Sequence, residues 1–302
     1  MKNAFKNPII LDGGMGRELQ SMGAPFRQPE WSAQALIESP QFVSQVHNNF
    51  AESGAQIITT NTYALVPFHI GETCYIEQGE QLIQLAAKLA RECVNAHPGT
   101  LVAGCIPPVL GSYRPDLFAI DKARPLIEKM IFNQQKFVDI WLAETISSIS
   151  EATLIKQLTE RTAKPTWIAF TINDEITNDA TLRSGELVYD AVSQIAGHHV
   201  SAILFNCSRS EVMETALINA KKALHDKGLT TQILLGVYAN NFPPIGDLHQ
   251  ANNGVNMIRE DMPPTKYAQF AMKWINAGAS IIGGCCGISP AHIKALAQIE
   301  KV

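Results

Sequence analysis

Short apolar runs rich in β-branched residues alternate along this chain with longer stretches of helical periodicity. Eight such runs begin at Pro8, Ala55, Leu101, Asp139, Thr166, Ser201, Ile233 and Ser280. Continuous apolar runs of this length are typical of strands in a parallel sheet whose two faces are both covered. The pattern therefore predicts eight parallel strands connected by helices.

The intervening stretches carry ordinary helix start and stop signals. Ser39 is a good N-cap, Pro40 fits the first helical position, and Gly54 is a suitable end for that helix. A second helix, with apolar residues at helical spacing, is predicted to stop at Pro98 and Gly99. The stretch "TKYAQFAMKWINAGA" repeats the order of helix, Gly-Ala and strand found earlier in "NFAESGAQII".

Eight strand-and-helix units in 302 residues match the size of a (β/α)8 barrel of the TIM type. A doubly wound open sheet is the structural alternative. Since no linker, low-complexity segment or change in composition divides the chain, we expect residues 1–302 to form a single barrel domain.

Composition narrows the range of partners and compartments. The chain is 46% hydrophobic and 17% charged, with a formal net charge of −4, which gives no reason to expect nucleic acid or an anionic membrane as a partner. No apolar run reaches the length of a membrane span, and the first residues lack the apolar core of a signal peptide. We therefore expect a cytoplasmic protein whose six cysteines are thiols.

In such a barrel, active sites lie at the carboxyl ends of the strands. The polar or thiol residues predicted at these ends are Asp12, Thr60, Asn61, Thr62, Glu144, Asn206, Cys207, Asn240, Cys285 and Cys286. Three of the six cysteines thus belong to two strand ends that the barrel brings to one rim.

Three converging thiols suggest a zinc site, since thiolates are preferred ligands of this ion and a catalytic site leaves one position open. The glycines around Cys285 and Cys286 would let the backbone turn so that two successive side chains reach one ion. Two alternatives stay open at this point. In the first, Cys207, Cys285 and Cys286 are ordinary small residues that fill the barrel mouth. In the second, the adjacent cysteines Cys285 and Cys286 form a regulatory disulfide.

The chain resembles the homocysteine S-methyltransferase family over nearly its whole length, and five stretches carry the resemblance. They are "LDGGMGRELQSMG", "GAQIITTNTY", "AETISSISEA", "FNCS" and "GGCCGISPAHI". The resemblance implies a (β/α)8 barrel in which Cys207, Cys285 and Cys286 hold a zinc ion. It further implies that the thiol of homocysteine takes the fourth position as a thiolate and accepts a methyl group from a cationic donor, giving methionine.

The same resemblance gives roles to other rim residues. It assigns Asp12 and Glu144 to the homocysteine pocket, where they would pair with the ammonium group of the substrate. Each residue also has an alternative role in the structure alone, because Asp is common in turns and Glu is favoured in the first turn of a helix. We add Thr60, Asn61, Thr62, Asn206 and Asn240 as candidate substrate-binding residues, although the threonines are also suited to bonding backbone and Asn206 to bracing the cysteine loop.

The methyl donor is the less defined substrate. The loop "CIPPVLGSYRPDLF" departs from the Gly-Pro-Tyr-Gly-like turn of many family members, and Tyr113 and Arg114 within it are candidates for the donor pocket. A sulfonium group is attracted to aromatic faces, for which Tyr113, Phe118 and Tyr238 are candidates. Because the chain leaves no room for corrinoid or folate domains, we expect S-methylmethionine as the donor.

Two further functions remain open from sequence. One is a barrel without catalysis that senses redox state or metal through Cys285 and Cys286. The other is methyl transfer to selenocysteine or another thiol. Acids at other strand ends favour catalysis, since a sensor would not require Asp12 and Glu144.

Overall fold

Eight parallel strands form one sheet in the structure, a computed structural model that describes residues 7–243 and 257–299. The strands are β1 (Ile9–Ile10), β2 (Ile57–Thr59), β3 (Leu101–Ile106), β4 (Ile140–Ile146), β5 (Thr166–Phe170), β6 (Val200–Arg209), β7 (Leu234–Asn240) and β8 (Ile281–Ile282). Every one falls within, or directly beside, a predicted apolar run.

The sheet closes on itself. Its order is β1-β8-β7-β6-β5-β4-β3-β2, and a parallel bridge between Leu11 and Ile57 joins the two ends. The amide of Gln56 also donates to the carbonyl of Ile10 across this seam, at 2.8 Å. The predicted (β/α)8 barrel is therefore confirmed, and the open doubly wound sheet is excluded.

Helices follow the strands around the barrel. They are α1 (Met15–Ser21), α2 (Ser32–Glu38), α3 (Pro40–Glu52), α4 (Pro67–Ile70), α5 (Glu72–Ala96), α6 (Ile120–Gln134), α7 (Ile149–Thr159), α8 (Val188–Ile195), α9 (Met213–Asp226), α10 (Pro264–Ala277) and α11 (Pro290–Ala297). The predicted start at Pro40 is confirmed, although Ser39 makes no side-chain cap. Within the described ranges, no helix combines the length and apolarity needed to cross a membrane.

The barrel interior is a packed apolar core, separate from the layer between strands and helices. Trp167, Leu142 and Leu204 are among the buried side chains that fill it, and Tyr238 and Cys285 lie in or against the same cluster. Since apolar side chains occupy the interior, polar chemistry is confined to the rim where the strands end.

A cysteine and carboxylate site at the barrel mouth

Three cysteine side chains meet at the carboxyl end of the barrel. Cys207 lies near the end of β6, and Cys285 and Cys286 follow β8. The three sulfur atoms lie within 4.8 Å of one another, with 3.9 Å between those of Cys207 and Cys286. This is the arrangement that a metal ion held by three thiolates requires.

The sulfur atoms of Cys207 and Cys285 are paired as a disulfide, with 5.6 Å between their Cα atoms, and Cys286 is a free thiol. This disulfide joins the ends of β6 and β8. The adjacent cysteines Cys285 and Cys286 are not bonded to each other. Metal-bound and disulfide-paired cysteines both need sulfurs in close proximity, so the pairing is compatible with a three-thiol ligand set in the reduced protein.

Cys207 reaches this cluster through an unusual backbone conformation. On β6, Ala202 and Leu204 face the barrel interior, while Ile203 and Phe205 face the helices. Regular alternation would turn Cys207 towards the helices as well. Its φ of 49° interrupts the alternation, and the side chain lines the pocket instead.

The cysteine pair is brought inward by a tight turn after β8. The amide of Cys285 donates to the carbonyl of Ala239 at 3.0 Å, and the carbonyl of Cys286 accepts from Asn241 at 2.8 Å. A Cβ on Gly284 would lie 2.1 Å from the Cγ2 atom of Ile288, so only glycine fits there.

Two carboxylates line the same pocket, the buried Asp12 and the partly buried Glu144. Asp12 accepts hydrogen bonds from the Thr59 amide at 2.7 Å and the Thr59 hydroxyl at 2.9 Å. Glu144 accepts one from the Tyr238 hydroxyl at 3.3 Å. Burial raises the pKa of Asp12 to about 7, with a further contribution from Glu144, whose own pKa burial also raises. A cation placed between these acids would favour ionisation of both.

The structure brings together most of the residues singled out from sequence. Those lining the pocket are Asp12, Thr60, Asn61, Tyr113, Glu144, Cys207, Cys285 and Cys286. The pocket is also walled by aromatic rings, namely Trp31, Tyr63, Tyr113, Tyr238 and Phe242. Phe118, an aromatic candidate from sequence, packs partly buried against the outer core and does not line the pocket.

Four other named candidates also lie outside the pocket lining: Thr62, Arg114, Asn206 and Asn240. The Thr62 hydroxyl donates to the carbonyl of Cys105 at 2.9 Å. Arg114 forms an ion pair with Asp116, which lies two residues further along its own loop.

The two asparagines among these four support backbone near the site. Asn206 is fully buried and makes two bonds to Thr145, accepting from its amide at 2.8 Å and donating to its hydroxyl at 3.0 Å. The carbonyl oxygen of the Asn240 side chain accepts from the amide of Phe242 at 3.2 Å. From sequence, both were candidate substrate-binding residues, with bracing of the cysteine loop as the other role of Asn206; these bonds give both asparagines a bracing role in the free protein.

Several pocket residues escaped sequence reasoning, chief among them Arg17, Trp31 and Thr145. Arg17 belongs to the stretch "LDGGMGRELQSMG" that follows β1, so its proximity to Asp12 was a usable signal. Trp31 and Thr145 have φ angles of 52° and 62°, which no residue pattern in this sequence indicates.

Strained backbone is concentrated at this pocket. Six described non-glycine residues have positive φ, and four of them line it: Trp31, Tyr113, Thr145 and Cys207. Such conformations cost free energy and persist only where surrounding contacts enforce them, which is common at functional sites.

A parallel barrel whose mouth carries three clustered thiols beside two carboxylates is the architecture of an enzyme whose active site lies at the carboxyl ends of its strands. The model of the homocysteine S-methyltransferase family matches residues 9–299. The chain belongs to that family and is a methyltransferase.

Individual relatives agree with this assignment. A homocysteine S-methyltransferase of Escherichia coli (strain K12) is 31% identical over 312 residues, covering 95% of this chain and 94% of that protein. A selenocysteine Se-methyltransferase of Brassica oleracea var. italica is 26% identical, covering 95% and 87% respectively. The metallated crystal form of the homocysteine methyltransferase MmuM from Escherichia coli matches with a TM-score of 0.78 at 28% identity, covering 98% of this chain and 97% of that one.

Proposed function

We propose that this protein transfers a methyl group from S-methylmethionine to the thiol of homocysteine, with a zinc ion held by Cys207, Cys285 and Cys286. The observation that carries the proposal is the convergence of these three sulfurs, within 4.8 Å of one another, in a pocket that also contains Asp12 and Glu144. Family membership supports the acceptor, and the metallated form of a structural relative supports a metal.

The donor set fits zinc. Three thiolates with an open fourth position form a known type of catalytic zinc site, and thiolates select zinc over magnesium or calcium. When bound, zinc would supply a Lewis acid that keeps the sulfur of homocysteine deprotonated at neutral pH, where a free thiol of pKa about 8.5 is mostly protonated. Because the thiols must stay reduced for this role, the cytoplasm is the compartment that suits the protein.

Asp12 and Glu144 are placed to receive the ammonium group of the amino acid. Asp12 is buried and Glu144 is partly buried, and the charge of Glu144 raises the cost of ionising Asp12, so a positively charged group between them would be strongly favoured. Thr59 holds Asp12 through two hydrogen bonds, and Tyr238 contacts Glu144. These contacts orient the carboxylates before substrate arrives.

Aromatic rings suit the cationic donor. Tyr63, Tyr113 and Tyr238, together with Trp31 and Phe242, surround the pocket, and a sulfonium group is attracted to such faces. The same rings exclude water, which strengthens the attraction between a cationic donor and an anionic acceptor.

The bonds exchanged in the reaction balance as follows. The homocysteine thiol releases its proton to solvent, and its sulfur forms a new bond to the methyl carbon of the donor. The bond from that carbon to the sulfonium sulfur breaks, and its electron pair remains on the donor sulfur as a neutral thioether. With S-methylmethionine as donor, two molecules of methionine result.

An assay of methionine formation tests the proposal. Reduced, zinc-loaded protein is given homocysteine with each of a set of donors: S-methylmethionine, S-adenosylmethionine and betaine. We expect methionine from S-methylmethionine, and at least a 1,000-fold lower rate in Cys286→Ser, since loss of one ligand removes the metal site, a change of about 4 kcal/mol or more in activation free energy. Cys93→Ser, a thiol on α5 outside the pocket, is the matched control and keeps its activity.

Acceptor choice is tested in the same assay. Selenocysteine replaces homocysteine in a parallel set of reactions, because one relative bears the name of a selenocysteine Se-methyltransferase. A higher kcat/KM for selenocysteine would overturn homocysteine as the main acceptor. Absence of product from the loaded protein with every donor and either acceptor would overturn the donor and acceptor assignments together.

A further inference from the structure

A buried ion pair lies next to the pocket, outside its lining. Arg183 and Asp174 are 3.0 Å apart, and their side chains are only 6% and 5% exposed. Removing two opposite charges from water costs free energy that their attraction often fails to return. Stability alone therefore does not explain the pair, and its contacts indicate what it does.

The loop between β5 and α8 brings the two charges together. An antiparallel bridge between Ile172 and Leu182 folds this loop back on itself. Asp174 and Arg183 lie close to the bridge on its two facing segments, so the backbone places their side chains within reach of each other. The loop stands at the carboxyl end of β5, beside the end of β6 that carries Cys207.

Asp174 holds the backbone that follows Cys207. Its carboxylate accepts a hydrogen bond at 2.9 Å from the amide of Arg209. The ladder between β5 and β6 ends at Phe205, and the pairing of β6 with β7 changes register between Asn206 and Arg209. A side-chain oxygen thus replaces the neighbouring strand as the partner of the backbone just beyond Cys207.

Arg183 reaches Cys207 by a second route, through Tyr113. The guanidinium lies 5.4 Å from the centroid of the Tyr113 ring, a distance at which a cation is attracted to an aromatic face. The Tyr113 hydroxyl donates to the carbonyl of Cys207 at 3.4 Å. Tyr113 and Cys207 have φ angles of 61° and 49°, conformations that persist only where surrounding contacts enforce them. The ion pair supplies contacts of this kind on both sides of Cys207.

We propose that Arg183 is a positioning residue for Cys207. Through Asp174 and Tyr113 it keeps the backbone at Cys207 in the left-handed conformation that directs the sulfur towards the other two cysteines. The inference rests on the proposed function, because it concerns how one of the three proposed zinc ligands is held. Replacing residues that support metal ligands in this way typically changes metal affinity by about 10-fold to 100-fold.

The metal affinity of a double variant tests this inference without turnover. Arg183→Met combined with Asp174→Leu removes both charges, so that no unpaired charge stays buried. In the reduced protein we expect the zinc affinity, measured by competition with a chelator, to fall about 10-fold to 100-fold. The thiolate-to-cobalt charge-transfer bands of the cobalt-substituted protein should also weaken, because one sulfur is no longer held in place.

Arg91→Met combined with Asp139→Leu is the matched control. Arg91 and Asp139 also form an ion pair, at 2.8 Å, and Asp139 also accepts from a backbone amide, that of Val102. This pair lies at the amino end of β4, away from the thiols. The control variant should lose thermal stability and keep the zinc affinity and cobalt spectrum of wild type.

Arg183→Lys keeps the charge opposite Asp174 and loses the flat guanidinium over Tyr113. Its zinc affinity should lie between those of wild type and the double variant, and it decides the question if the double variant does not fold. Wild-type affinity and cobalt bands in the folded variant would overturn the inference. An equal loss in the control would also overturn it, since affinity would then follow stability.

These measurements separate the inference from the proposed reaction. If wild type binds zinc and forms no methionine, the proposed reaction fails, and the zinc affinities of the variants still decide the role of Arg183. If wild type binds neither zinc nor cobalt through its thiols, the proposed metal site and the positioning role are both refuted.

Discussion

At the residue scale, the buried carboxyl of Asp12 lowers the stability of the free protein at neutral pH, although the same group is placed to bind the substrate. Its carboxyl is buried at 7% exposure, and its pKa is raised from 3.8 to about 7. Between these two pH values the folded protein keeps a proton that the unfolded chain has lost. The free energy of unfolding therefore decreases as pH rises through this window, and the group gives its full stabilising contribution only below pH 3.8.

Replacing Asp12 with asparagine should make the free protein less sensitive to pH while weakening substrate binding. An amide can still bond to Thr59 and carries no charge to desolvate. In metal-free, reduced protein, the free energy of unfolding decreases between pH 4.5 and pH 8. We expect this decrease to be smaller in Asp12→Asn than in wild type, by on the order of 2 kcal/mol. Urea denaturation at the two pH values measures this, and homocysteine affinity of the zinc-loaded variant should fall at least 10-fold.

Glu151 provides the matched control for this prediction. It is also buried, burial raises its pKa to about 7, and it accepts from the amide of Ser147 outside the pocket. Glu151→Gln should reduce the pH dependence of stability in the same direction and leave homocysteine affinity unchanged. If both variants lose affinity alike, the assignment of Asp12 to the ammonium group is wrong.

At the scale of elements, the apolar runs in the sequence predicted where the strands lie. They did not predict which way every side chain points at the strand ends. On β4, Ile140 and Leu142 face the barrel interior and Trp141 faces the helices, so alternation correctly turns Glu144 inward. Thr145 departs from alternation because its φ is 62°, as Cys207 does on β6. Such local backbone states depend on tertiary contacts, among them the bonds from Asn206, and no residue spacing reports them.

The turn after β8 gives a prediction at this scale. In Gly284→Ala, the new methyl group would meet Ile288, which is 1% exposed and whose carbonyl already accepts from Gly14. Ile288 and Gly284 both belong to the turn that carries the cysteine pair, so relieving this contact would shift Cys285 and Cys286. We expect a loss of about 1–3 kcal/mol in unfolding free energy, together with weaker zinc binding.

Gly197→Ala is the control for that variant, because its Cβ would meet only the Lys156 side-chain nitrogen, at 3.6 Å, and its φ is not positive. It should stay within about 0.5 kcal/mol of wild type, with full zinc content. Urea denaturation and metal analysis compare the two proteins. Equal behaviour of the two variants would mean that the tight turn does not position the ligands.

At the scale of the whole molecule, the barrel assembles one site from distant parts of the chain. The three thiols come from the ends of β6 and β8, which flank β7, and the two acids come from the ends of β1 and β4. Sequence predicted this convergence because all strand ends of a parallel barrel meet at one rim. Of the aromatic wall it indicated Tyr113 and Tyr238 only. Trp31 and Phe242 reach the pocket from segments outside the strands, where packing alone determines position.

X-ray absorption spectroscopy at the zinc edge tests the central claim most directly. The reduced protein is loaded with one zinc per chain and measured before and after addition of homocysteine. We predict three sulfur ligands from Cys207, Cys285 and Cys286 in the free protein, and four once homocysteine is present. A sulfur count that does not rise with homocysteine, or that is unchanged in Cys207→Ser, would contradict the account.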